Sequence, residues 1–372
     1  MTGLRQTRHS GIELARIVAM FLIVTMHVNT QGGILNSLIP FSANDTVEWL
    51  LMCVTYCAVD CYALISGYMG VTSNFRYRKM MTLWLQVAFY TVLITGAFAI
   101  FVPGSVGIME WVKAITPASS GQYWYFSAYF AMFFFIPFLN YLLNGLDPKN
   151  LKALGLTIIV IFSIIPTVRH TDPFFVDRGY TTIWLMSLYL IGGILRKENL
   201  LEKFNGKVYF VGFWICALLA WGSKVLIESI CFRLTGEVAG GGVLVSNIST
   251  VIILQAICLL GMFLKVHITN KTINKVICTI AGTTFSVFVI HEHPLLKYQF
   301  LKGRFASYAE ETPIIMVLKV LGTALVIFAV CSVIDLVRMQ IFRVLRVKEH
   351  CDGLCEKMDK QVKKLLGSKA KG

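Results

Sequence analysis

The sequence predicts an all-α polytopic membrane protein, a bundle of about ten transmembrane helices with both termini in the cytosol. Three observations carry this expectation. Of the 372 residues, 56% are hydrophobic and only 15% charged, with a mean hydropathy of +0.69; a soluble domain carries roughly 25% charged residues. Apolar runs near the roughly 20 residues that a spanning helix needs recur along the chain. Lys and Arg concentrate in alternate links between those runs, the asymmetry that orients a membrane protein.

The runs fall near 12–31, 47–69, 80–102, 122–143, 151–168, 181–195, 207–229, 242–264, 276–296 and 313–342. The first contains Arg16 and His27 and no Ala-x-Ala pattern, so it is expected to be a retained span and not a cleaved leader. The sixth is short and the last long. With links assigned alternately, one side receives most of the basic residues, from Arg5 and Arg8 through the RYRK link at 76–79 to Lys271 and Lys275. The other receives only Lys113, Arg169, Arg178, Arg233, Lys297, Lys302 and Arg304. The richer side is cytosolic by the positive-inside rule.

The chain therefore divides into a transmembrane domain, 1–348, and a basic cytosolic tail, 349–372. The short links leave no room for a separate soluble catalytic domain, so any chemistry is expected inside the bundle or at its mouths. The formal charge of +14 reads as membrane orientation, not as a nucleic-acid footprint. Ten cysteines lie mostly within spans, as Cys53, Cys57 and Cys61 do, where they serve as small apolar packing groups. Cys351 and Cys355 match neither a redox pair nor a zinc set, so neither disulfide nor metal is expected.

Arg16 and His27 carry the first chemical signal. Eleven helical residues advance about 1,100°, which returns to the same face about 16 Å further along. A charge buried there costs on the order of 3 kcal/mol, so it should face protein or a water-filled path. Alternatively, Arg16 snorkels or pairs with Glu13, and His27 bonds a neighbouring helix. Asp60 lies at a depth similar to Arg16 and is a candidate partner for it, or it bonds locally. His291 falls at the depth of His27 and could line one chamber with it. Glu292 and His293 are expected to project elsewhere, with Pro294 ending the helix, so the HEH triplet is not expected to bind metal. Lys224 with Glu228, and Asp335 with Arg338, have the spacing of structural ion pairs.

The segment RIVAMFLIVTMH resembles the first-helix signature of the membrane-bound acyltransferase 3 family, an Arg followed after ten residues by a His. DCYALISGYMG at 60–70, the link FRYRKMMTLW, the block QYWYFSAYFAMFFFIPFLN and the late TFSVFVIHEHPL are similar to further family blocks, in the family's order. The sequence departs from many members in having Tyr123 where they carry a His, and no fused esterase-like domain is evident. The resemblance implies a ten-helix bundle with no bound cofactor that moves an acyl group, usually acetyl, from cytosolic acetyl-CoA to a sugar hydroxyl. The membrane would be a cell membrane, in a bacterium the cytoplasmic one, and the acceptor a surface polysaccharide or a membrane-attached, lipid-linked saccharide.

Under that resemblance His27 is the general base, and Arg16 binds the acyl-CoA or holds the first helix in place. His291 and Asp60 assist or position the acceptor, and Tyr123 and Trp124 stack on a sugar or form an interfacial belt. Arg76, Arg78 and Lys79 face the acyl-CoA phosphates, or are basic simply because a cytosolic link is. The competing class is an exporter of polysaccharide intermediates, since many spans with internal charges also describe carriers. Against it stands the lack of an inverted repeat. A purely structural subunit would leave Arg16 and His27 without work.

Overall fold

The computed structural model describes residues 9–73 and 75–368, with side chains to 357; Arg5 and Arg8 lie outside the described residues. Its helices are α1 (Ser10–Thr30), α2 (Ala43–Thr55), α3 (Cys57–Gly70), α4 (Tyr77–Phe101), α5 (Ile108–Ile115) and α6 (Trp124–Gly145). They continue as α7 (Pro148–Arg169), α8 (Thr182–Lys197), α9 (Gly206–Thr235), α10 (Thr250–Leu264), α11 (Lys271–His291), α12 (Pro313–Val344) and α13 (Val347–Ser368). No strand occurs among the described residues. The architecture is the all-α, multi-pass bundle that the composition predicts.

Among the described residues, eight segments are long and apolar enough to cross a membrane, with α2 and α3 joined as one. The rest of the expected ten are α8 and α10, of 16 and 15 residues. Both are heavily buried, so packing against neighbours replaces contact with lipid. Although short, α8 runs the length of α6. The Tyr180 ring just before it lies 4.5 Å from that of Trp124, and at the other end Lys197 donates to the Leu143 carbonyl. Asn140 near the end of α6 likewise donates to the Gly70 carbonyl at the end of α3. The helices thus alternate in direction, as the link charges require.

Two contacts fix the central packing. Where α3 crosses α8, a Cβ on Gly67 would come within 1.9 Å of the Tyr189 carbonyl oxygen, and one on Gly192 within 2.2 Å of the Leu64 oxygen. Small residues let helix backbones close on each other where lipid supplies no hydrophobic drive. On the other flank, buried Asp335 accepts from Tyr90, Ser286 and the Arg338 guanidinium, joining α4, α11 and α12. Such pairing offsets the cost of burying an ionised carboxylate in this environment. Lys224 is shared between Glu228 at 2.7 Å and Asp45 at 3.6 Å, so both ion pairs read from spacing form.

Gly192→Val should lower the thermal unfolding temperature of the detergent-solubilised protein by the equivalent of about 1–3 kcal/mol. Gly222→Val, where an added Cβ meets nothing within 4 Å, should change it far less. Equal effects at the two sites would contradict the crossing described here.

Candidate functional site

One face of α1 packs against α11 and α12, and places His27 one turn before the helix ends. α11 ends at His291; Glu292 caps it at φ −87°, ψ −1°, and Pro294 begins a new turn. The Glu292 amide still bonds the Phe288 carbonyl as in a helix, and the chain leaves helical register only at His293. From the position beside His291, the long Glu292 side chain reaches back to α1.

His27 Nδ1 lies 2.9 Å from His291 Nε2 and 3.1 Å from Glu292 Oε1. His291 Nδ1 lies 2.5 Å from the Val287 carbonyl oxygen. A carbonyl can only accept, so His291 carries its proton on Nδ1 and presents a lone pair at Nε2. His27 must then donate from Nδ1, which leaves its own Nε2 bare. A single backbone carbonyl thereby fixes, through two rings, which nitrogen of His27 can take up a proton. Glu292 stands beside the donating nitrogen, where its charge stabilises a protonated ring. Its other oxygen pairs with Lys297 at 3.2 Å. Burial alone would raise the Glu292 carboxyl, but as pH falls the rings of His27 and His291, once protonated, outweigh it together with Lys297 and hold it down to about 2.

These three side chains place one ligand atom each within 4.8 Å of one another, a set that a divalent cation could use. The hydrogen bonds engage three of the four ring nitrogens and leave His27 Nε2 bare. The expectation that Glu292 projects elsewhere is corrected: it sits about 100° around the helix from His291, but its side chain is long enough to bring Oε1 back to His27 Nδ1. His293 does turn away; its Nδ1 accepts from the Leu295 amide, and burial pushes it down to about 4.

A cavity of about 340 Å³ opens beside His27, walled by Tyr62, Trp124, Phe288, Glu292 and Lys297 and reaching Met20. Met20 is about one helical turn from Arg16. Arg16 pairs with Glu13 at 2.8 Å, and its carbonyl accepts from Tyr62. The guanidinium lies within electrostatic reach of Lys79 on α4 and Tyr129 on α6. The expected Arg16–Asp60 contact does not form. Asp60 is fully buried and accepts from Trp184 Nε1 at 3.2 Å, because the glycine crossing of α3 and α8 brings the indole to it. Trp124 lines the cavity, but Tyr123 does not. Tyr123 is 2% exposed and donates to the Val289 carbonyl at 3.0 Å, which pins α6 to α11 and removes it as a stacking surface.

Arg76 and Arg78 lie apart from His27, on a second cavity of about 890 Å³ with Tyr77, Trp84, Phe130 and Phe134. Arg78 pairs with Asp352, so α13 of the tail packs across the mouth. Lys79 is exposed next to this cavity. Sequence reasoning named both histidines but missed Glu292, Lys297 and Tyr62. The available signal for Glu292 was its place directly after His291, from which a long side chain can reach the same neighbouring helix.

The acyltransferase-domain model of the acyltransferase 3 family matches residues 9–335. No curated protein and no solved structure matches the chain.

A depressed carboxyl stabilises the fold above its unfolded value of about 4.3, and that contribution is lost as pH falls toward the folded value. Glu292→Gln should therefore be less thermally stable than the parent at about pH 6, with the gap shrinking toward about pH 3. A gap independent of pH would contradict the ionised cluster.

Proposed function

Because the chain belongs to the acyltransferase 3 family, we propose that this membrane acyltransferase moves an acetyl group from cytosolic acetyl-CoA to a saccharide hydroxyl. The observation that carries the proposal is the bare Nε2 of His27, set by its bond to His291 and facing the cavity that runs toward Arg16. Composition alone suits a carrier as well, but transport has no need of an imidazole whose tautomer is fixed.

In the proposed step, His27 Nε2 takes the proton from the acceptor hydroxyl as its oxygen attacks the thioester carbonyl. The new C–O bond forms, the tetrahedral centre collapses and the C–S bond breaks. The proton held by His27 passes to the departing CoA thiolate, so the ring returns to its starting tautomer. Glu292 stabilises the transient imidazolium. It is a positioning residue, since it touches His27 and not the reacting atoms, and His291 is one in the same sense. Asp60, bonded to Trp184, contributes through packing.

Donor binding falls to the cytosolic half. Arg16 is 31% exposed at its side chain and lies within electrostatic reach of Lys79 in the basic link. Arg76, Arg78 and Lys79 offer cations suited to the CoA phosphates, and Trp84 and Phe130 offer apolar surface for the pantetheine. No cofactor is needed. The acceptor is a cell-surface polysaccharide or its membrane-attached precursor, and the membrane is the cytoplasmic membrane of a bacterium.

Membranes containing the protein should transfer radiolabel from acetyl-CoA to envelope glycan, and His27→Ala at equal expression should reduce the rate by about 10²-fold or more. Transfer undiminished in His27→Ala would remove the base from the proposal. Absent transfer in both, with altered glycan export in cells, would favour the carrier.

A further inference from the structure

A third cavity, of about 500 Å³, opens at the face opposite the two termini. It lies between the end of α7, the 170–180 loop and the 240–248 loop. Its size falls within the range of small-molecule sites. Two of its wall residues, Tyr56 and Tyr180, also wall the His27 cavity, so the two spaces adjoin at a doorway of two phenols.

The loop that forms this mouth is held in an unusual backbone. His170, Asp177 and Arg178 adopt φ of 55°, 45° and 51°, the left-handed region that non-glycine residues rarely occupy. The Asp172 carboxylate holds the turn by accepting from the Val176 and Asp177 amides. Gly179, at φ 99°, sits where a Cβ would come within 2.7 Å of the Asn247 Cβ. Asp172 is thus engaged with its own loop. Arg178 is exposed and makes no hydrogen bond or ion pair among the described residues, yet it lies within electrostatic reach of both doorway phenols. Thr167 and Ser246, also in the wall, hold hydroxyls without a protein partner.

We propose that this outer vestibule binds the acceptor and selects an acidic saccharide through Arg178. The proposal rests on the acyltransferase reading above and deepens it by naming the acceptor class. Tyrosine rings at the doorway suit sugar faces, and the wall hydroxyls and Asn247 suit sugar hydroxyls. The unpaired guanidinium suits a carboxylate or phosphate, which it can bind through paired donors. An acceptor anchored there would project a neighbouring hydroxyl past Tyr56 and Tyr180 toward His27. The donor would approach from the opposite face.

The test measures binding without donor, by tryptophan fluorescence of the full chain in nanodiscs, with cellobiouronic acid, cellobiose 1-phosphate and neutral cellobiose as probes. At least one acidic probe should bind roughly tenfold or more tightly than cellobiose, a discrimination ordinary for a charge-assisted pair. Which acidic probe wins distinguishes a uronate from a phosphate. Arg178→Gln should erase the preference and Arg178→Lys should restore part of it, while His27→Ala should keep it. Equal binding of the three probes, or a preference that survives Arg178→Gln, would overturn the proposal. Label transfer from acetyl-CoA is assayed separately, so a vestibule that binds acidic probes in a protein that transfers nothing would sink the acyltransferase reading alone.

Discussion

The hydrogen bond between His27 and His291 is the constraint on which the rest of the structure depends. It joins the outer half of α1 to the end of α11, and its direction follows from one backbone acceptor, the Val287 carbonyl. Imidazole tautomers interconvert freely in water, where either nitrogen finds a partner. In a buried site a wrong tautomer would set two protons or two lone pairs against each other, and an unsatisfied buried polar group costs about 1–3 kcal/mol. The low-dielectric interior that makes this arrangement costly to disturb also makes it selective.

The surrounding bundle serves that constraint. Pro294 begins a new turn just beyond His291 and Glu292, so both sit in the last turn of α11 facing α1. Tyr123 pins the start of α6 to the same helix, holding Trp124 at the cavity. The Asp335–Arg338 cluster ties α11 to α4 and α12, so the helix that carries His291 is braced along its length. Two other cations of the bundle are paired: half-buried Arg16 with Glu13, and buried Lys224 with Glu228. The cavity beside His27 is bounded chiefly by aromatic and aliphatic side chains, in which a charge such as that of Glu292 acts strongly.

Much of this fold is legible in the sequence because the membrane imposes a coarse rule on length and polarity. Each of the ten apolar runs overlaps a helix, and the short run at 181–195 coincides with α8 (Thr182–Lys197), while the run at 242–264 begins eight residues before α10 (Thr250–Leu264). The depth argument that set His27 level with His291 needs only a constant rise per residue, and it succeeds for the same reason. It fails for Arg16 and Asp60, since equal depth says nothing about which way a side chain faces; the glycines at 67 and 192 decide that by bringing Trp184 to Asp60. Glu292 was expected to point elsewhere because helical periodicity fixes where a side chain starts and not how far a glutamate reaches. The Tyr56–Tyr180 doorway joins segments more than a hundred positions apart in sequence, with no local pattern to announce it.

The central claim is the protonation pattern of the paired rings, and nitrogen-15 NMR of histidine-labelled protein in nanodiscs at neutral pH tests it most directly, with His27→Gln and His291→Gln used for assignment. The expected spectrum shows a bare Nε2 and a protonated Nδ1 on His27, with the Nδ1 proton coupled to the Nε2 of His291. A proton on His27 Nε2, or two rings with no coupling between them, would contradict it.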